Sequence, residues 1–188
     1  MHCYRWRTSV VLESMDNEVN YLPKDAYGRM KAIAYSIKPQ EKESLALANG
    51  KKHDLTLISN ELNERTVSYA LGKEAVIVSR YDIVDRKMLW ELKQAGITKI
   101  ITRSNTTTHI DLNEAKRMDF KVANVPDTDQ SVENIARQTI RNLNSWGTGR
   151  CVGKACCCQK VCEIDKKKAK AEVDNQQANP YRYGQAGN

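Results

Sequence analysis

The residues best placed to do chemistry lie between Thr98 and Pro126. Lys99 to Thr102 reads as a short buried strand and Arg103 to Thr108 as a polar loop. His109 to Met118 reads as a helix with Ile110, Leu112, Ala115 and Met118 on its apolar face. Thr108 is the expected N-cap, with Asp111 three residues on. Phe120 to Val125 reads as a second strand, stopped by Pro126. A loop between a strand's carboxyl end and a helix's amino end offers backbone N–H groups and a positive dipole end, which suit a carboxylate or phosphate. The same residues would also make an ordinary polar turn. Arg80 and Arg103 each follow a predicted strand and could face one crevice; solvated arginines at helix starts are the plainer account.

Other reactive groups carry weaker signals. His53 opens a predicted strand and His109 a predicted helix, where the dipole disfavours the imidazolium; a structural role is expected of both. Cys151, Cys156, Cys157, Cys158 and Cys162 fall close together, but no paired C-x2-C knuckle is present. Neighbouring cysteines rarely all ligate one ion, so incidental thiols are expected and no metal site. Ser36-Ile37-Lys38-Pro39 does not make a flavin-phosphate loop after the first strand. Asp82 after the third strand has no acidic partner of the kind a phosphorylated receiver needs. No G-x-G-x-x-G occurs, and Gly147-Thr148-Gly149 has no strand before it.

The elements that must position these groups alternate regularly. Strands are expected at Ala32–Ile37, Leu55–Ser59, Ala75–Ser79, Lys99–Thr102 and Phe120–Val125. Helices are expected at Gln40–Ala48, Asn63–Leu71, Asp82–Gln94 and His109–Met118. Such βα alternation with short connections predicts an α/β fold: a flavodoxin-like five-stranded parallel sheet, order 2-1-3-4-5, with helices on both faces. A further helix at 132–143 carries Val132, Ile135, Ala136, Thr139, Ile140 and Leu143 at helical spacing, a stripe that must pack on the sheet or on a partner. The expected organisation is an N-terminal extension at 1–29, the sheet domain at 30–127, a hinge-type helix at 128–147 and a mostly irregular, disordered Cys/Lys-rich tail at 148–188. Within that tail a short helix could form at Lys160–Val173.

Composition bounds the function classes. The net charge is +7, of which residues 148–188 supply +4, with eight Lys or Arg against four Asp or Glu. The basic balance belongs mostly to the tail, and no basic stripe interleaved with aromatics marks a nucleic-acid surface. No secretory signal and no transmembrane run is visible, so a cytoplasmic, reducing environment is expected.

Several segments together resemble a known family. Met30–Ile37, Glu74–Tyr81, Ile101–Ser104 with His109–Leu112, Lys121–Pro126 and Glu133–Ile140 look like the first part of a D-isomer-specific 2-hydroxyacid dehydrogenase, most like the D-lactate dehydrogenase branch. The resemblance covers about residues 30–145. It implies a substrate domain followed by a hinge helix into an NAD-binding domain, acting on a small 2-hydroxy or 2-keto acid.

Departures from the family pattern shape the expected function. Where the family's loop carries a glycine whose backbone, with the preceding residue, binds the substrate carboxylate, this chain has Asn105 and Thr106. A Thr side chain is a steric obstacle where backbone must approach a ligand. The family's Tyr-Ser-Pro is replaced by Thr128-Asp129-Gln130, and the cysteine tail stands where the glycine-rich nucleotide loop should follow. No residue matches the family's catalytic His, its acidic partner or its substrate-binding Arg. The resemblance therefore implies substrate-binding roles for Asn105 and Thr106, with Arg80 added from its place at a strand end. It implies no catalytic residue and no NAD binding by this chain alone. The expected function is a dehydrogenase substrate domain, truncated before its nucleotide domain and inactive by itself. The alternative is a non-catalytic binding or regulatory module that docks on a partner through helix 132–143.

Overall fold

The computed structural model describes residues 28–157. Five strands, β1 (Lys31–Ala34), β2 (Asp54–Leu57), β3 (Ala75–Val78), β4 (Lys99–Thr102) and β5 (Lys121–Ala123), form one sheet in the order β2-β1-β3-β4-β5. Every neighbouring pair is parallel, with Ala32 opposite Ala75, Ala75 opposite Lys99 and Lys99 opposite Lys121. Four helices accompany it: α1 (Pro39–Asn49), α2 (Arg86–Gln94), α3 (Leu112–Arg117) and α4 (Val132–Gly147). The fold class and strand order are those expected from the alternating pattern.

The strands are apolar on both faces because both faces are covered. Ile33, Tyr35, Val76, Val78, Ile100 and Val122 point to one side, where they meet Leu89 and Leu92 of α2, Ala115 of α3 and the turn at Val67 and Ala70. Ala32, Ala34, Ala75, Ile77, Ile101 and Ala123 point to the other, under Leu45 of α1 and Ala136, Ile140 and Leu143 of α4. Four alanines make this second face shallow, so the two helices can sit close to the strands. Burying Ile140 and Leu143 there contributes roughly 1.5–3 kcal/mol each. The stripe of α4 is thus covered by the chain's own sheet. The face expected to dock on a partner through helix 132–143 is an internal packing surface.

Local chemistry accounts for the boundaries that differ from expectation. Residues 63–71 form turns with a short 3-10 helix at Val67–Ala70, not an α-helix. The Asn63 Oδ1 accepts from the N–H groups of Arg65 (2.9 Å) and Thr66 (3.2 Å), and Thr66 Oγ1 donates to Glu61 O at 2.6 Å. Such side-chain bonds to nearby backbone compete with helix formation. The third expected helix starts late, at Arg86, because Val84 pairs with Ile110: Val84 N–H donates to His109 O (2.8 Å) and Asp111 N–H to Val84 O (3.0 Å). The same bridge holds Ile110, with His109 in the turn before it, so Asp111 caps α3 in place of Thr108, accepting from Glu114 N–H at 2.9 Å.

After the turn at 148–149 and coil at 150–152, the first part of the tail carries some local structure among the described residues. Residues 153–155 form a 3-10 turn, and Cys156 then pairs antiparallel with Ala123 at the outer edge of β5. The N-terminal extension as far as residue 27, the tail beyond 157, and with it the helix expected at Lys160–Val173, lie outside the described residues. Among the described residues no helix is long and apolar enough to cross a membrane.

Candidate functional site

The carboxyl ends of β1 and β3, with the start of the loop after β4, open into a crevice of about 480 Å³. The turn after β1 supplies Ser36, Ile37 and Lys38, and Glu41 follows from the first turn of α1. The turn after β3 supplies Ser79, Arg80 and Tyr81. Ser36 has a φ of 53°, a left-handed conformation that a non-glycine residue adopts at a cost unless its surroundings hold it. Two bonds hold it here: its N–H donates to Asn60 O at 2.8 Å and its Oγ to Asp82 Oδ1 at 2.7 Å.

Asp82 is 3% exposed and accepts three hydrogen bonds. Besides Ser36 Oγ, the Leu62 N–H reaches Oδ1 (3.0 Å) and the Ser79 N–H reaches Oδ2 (2.7 Å). One carboxylate therefore ties the turns after β1, β2 and β3 together beneath the crevice. It also raises the Tyr35 phenol well above the usual range, a shift caused first by burial and then by the Asp82 charge. That phenol donates to Thr66 O at 2.9 Å.

Arg103 and Arg80 both line the crevice but differ in state. The Arg103 side chain is 2% exposed, forms an ion pair with Glu41, and donates to Tyr35 O (2.8 Å) and Ser36 O (3.1 Å). Burial draws its guanidinium pKa down, with the Glu41 and Asp82 charges opposing. Its fork is committed to the protein. Arg80 is exposed, stacks its guanidinium 5.0 Å from the Tyr81 ring centroid, and forms no ion pair within the described residues. Lys38 and Arg80 are thus the cations that face the opening.

Asn105 and Thr106 stand elsewhere. Both are exposed, and neither lines the crevice. The loop leans over the end of β5, because Asn105 O accepts from Asn124 Nδ2 at 3.1 Å. Thr106 N–H donates to Ser104 Oγ at 3.1 Å, so it is engaged within the loop. No described residue accepts from the Asn105 N–H.

Among the described residues, His53, His109 and Cys157 are structural in placement. His53 Nδ1 accepts from Met30 N–H (3.3 Å), which leaves the proton on Nε2 facing Asn144 Oδ1 (2.9 Å). Burial lowers its pKa, against the Asn144 bond and with help from Lys52 and Arg29. His109 pairs its Nε2 with Thr102 Oγ1 at 2.9 Å while Nδ1 is buried without a partner. Burial lowers its pKa too, with Asp82 opposing. Burial, and secondly Cys156, pushes the Cys157 thiol up to about 11.

The family pattern of D-isomer specific 2-hydroxyacid dehydrogenases, in its catalytic domain, matches residues 31–155. The chain belongs to that family. The D-lactate dehydrogenase kk1H of Curvularia clavata is 34% identical over 121 residues, 61% of this chain and 35% of that protein. The D-lactate dehydrogenase of Escherichia coli K12 is 35% identical over 112 residues, 59% of this chain and 33% of that protein. The apo structure of D-lactate dehydrogenase from Escherichia coli superposes with a TM-score of 0.52 at 26% identity, over 80% of this chain and 42% of that one. The chain spans about a third of the length of these curated relatives.

A dinucleotide needs a glycine turn that opens a helix, so that N–H groups meet the pyrophosphate. In this family member Gly147 and Gly149 close a helix instead. Gly147 ends α4 against the backbone of Gly28, and Gly149 turns away at a φ of 73°. The described residues do not fit a nicotinamide dinucleotide. Ser36, Lys38, Glu41 and Asp82 are the site residues that motif reading did not assign a role. Their signal was positional: each lies just after an apolar run, where α/β sheets gather ligands.

Proposed function

We propose that this domain is the acid-binding part of a D-2-hydroxyacid dehydrogenase. Its crevice takes the carboxylate of a small 2-hydroxy or 2-oxo acid beside Lys38 and Arg80; the Asn105 N–H, two residues beyond crevice-lining Arg103 on the same loop, is a rim donor outside the lining itself. The observation that carries this reading is the crevice itself, placed at the carboxyl ends of β1 and β3 with exposed Arg80 at its mouth. Family membership supports the substrate class. The relatives are dehydrogenases, and hydride transfer there calls on NAD. In this reading the described residues hold and orient an acid, no histidine lines the crevice among them, and the chain by itself is expected to turn over nothing.

Titration of the purified chain with pyruvate, followed by calorimetry and by amide shifts, tests the reading. Binding with shifts confined to residues near Ser36, Arg80 and Asn105, and weakened about tenfold in Arg80→Gln, is expected. NADH oxidation with pyruvate should be absent. Pyruvate-dependent NADH consumption by the chain alone would overturn the claim of inactivity, and absence of any pyruvate binding would overturn the claim of acid recognition.

A further inference from the structure

The outer edge of β5 is closed by the chain's own return. Beyond α4, residues 155–157 lie antiparallel on this edge as a strap. Asn124 N–H donates to Ala155 O at 2.9 Å, and Cys157 N–H donates to Val122 O at 2.9 Å. Asn124, the first residue after β5, is held from two further sides. Its carbonyl accepts from Asn142 Nδ2 of α4 at 3.1 Å, and its own Nδ2 donates to Asn105 O at 3.1 Å. One residue therefore joins the strap and the last helix through its backbone, and the loop after β4 through its side chain.

The contact with Asn105 has a geometric consequence. Asn105 C=O and Thr106 N–H belong to one planar peptide unit. Asn124 grips the oxygen of that plane, and Ser104 Oγ accepts from its N–H at 3.1 Å. Two anchors at opposite ends fix that plane's orientation and tether the stretch of loop that carries the Asn105 N–H. We propose that Asn124 is a positioning residue for this rim, and that docking of the strap at 155–157 sets how well the rim receives an acid. Strap, Asn124 and rim form a line of hydrogen bonds from the cysteine-bearing segment to the site. The affinity half of the proposal rests on the acid-binding reading above; the positioning half does not.

The test uses the full chain and three variants. Asn124→Asp replaces the donor by an acceptor facing Asn105 O. Cys157→Pro removes the N–H that holds the strap to Val122, while Cys157→Ser keeps it. Backbone order parameters from ¹⁵N relaxation are expected to fall at Asn105 and Thr106 from about 0.85 to below about 0.6 in Asn124→Asp and Cys157→Pro, with Cys157→Ser unchanged. The pyruvate Kd should rise about fivefold or more in the first two. Melting temperature is followed in parallel, since a general structural defect would loosen all loops together. Unchanged order at Thr106 in folded Asn124→Asp overturns the proposal even if Cys157→Pro fails to fold. So does loosening spread evenly over the loops. If the wild-type chain binds no pyruvate, the acid-binding reading fails, and the order parameters alone decide the positioning role.

Discussion

Ser36 Oγ donates a 2.7 Å hydrogen bond to Asp82 Oδ1, joining the turn after β1 to the turn after β3. These two residues are 46 positions apart and become neighbours only because β1 and β3 pair directly in the sheet. With the N–H groups of Leu62 and Ser79 on the same carboxylate, the floor of the crevice is organised by one buried charge.

Asp82→Ala should therefore destabilise the fold by about 3 kcal/mol, since it strands two buried N–H donors and frees the strained Ser36 turn. Urea unfolding measures this. Asp82→Asn should recover part of the loss, because one amide oxygen still accepts. A loss below about 0.5 kcal/mol for the alanine variant would refute the role assigned to this carboxylate.

The Arg103–Glu41 pair predicts a different pattern. Arg103 is almost fully buried while Glu41 is 21% exposed, so removing the arginine leaves a carboxylate that water can still reach. Glu41→Gln should be the more damaging change, by about 3 kcal/mol, because it leaves a buried guanidinium without its counter-charge. Arg103→Met should cost less than Glu41→Gln, and the double variant less than the sum of the two. A double-mutant cycle in urea should return a coupling of about 1 kcal/mol or more.

Stability should decline on both sides of neutrality. His53 and His109 have pKa values below the ordinary 6.5, so between those lowered values and about 6.5 the unfolded chain binds more protons than the native one. Stability then rises with pH through that window and falls on acidification, by up to about 1.4 kcal/mol per pH unit for each histidine. Tyr35 works in the opposite sense. Its pKa is raised, so above about 10 the unfolded chain loses a proton that the native state keeps, and stability falls as pH rises. Denaturation midpoints across pH 5 to 11 should trace a dome, and His53→Gln should flatten its acid side.

Close packing at the end of α4 sets a fourth expectation. A Cβ on Gly147 would stand 2.2 Å from Gly28 O, a backbone atom that would have to shift. Gly147→Ala should lower the melting temperature, by about 4–8 °C for a loss of 1 kcal/mol in a domain this size. Leu143→Ala, deeper on the same helix, should cost about 2–5 kcal/mol. Thermal scans of the two variants test both values.

The sheet was legible because β1, β3 and β4 carry short apolar runs, with glycine or proline in each connection as far as β4. Lys99–Thr102 was read with its observed bounds, and the strand order followed from alternation alone. What escaped was set by partners distant in sequence. Asn63–Leu71 has helical composition, yet Asn63 and Thr66 bond to local backbone and curl it into turns. That His109 and Ile110 stay outside the helix depends on Val84, which helical periodicity cannot register. The crevice was legible only in part. Arg80 could be placed at a strand end from the order of elements. The coupling of Asp82 to Ser36, and the lean of Asn105 toward β5, depend on loop conformations that carry no periodic signal.

The shallow alanine face bears on how the molecule is made. Ala32, Ala34 and Ala75 leave the ribosome long before α4, which is their cover. A nascent chain that has already built α1 and β1 through β5 still presents the α4 side of that surface bare, and it stays so until the sixteen residues of α4 emerge and settle. Chaperone capture during translation, and aggregation when translation stalls, should therefore centre on the interval between completion of β5 and arrival of Leu143.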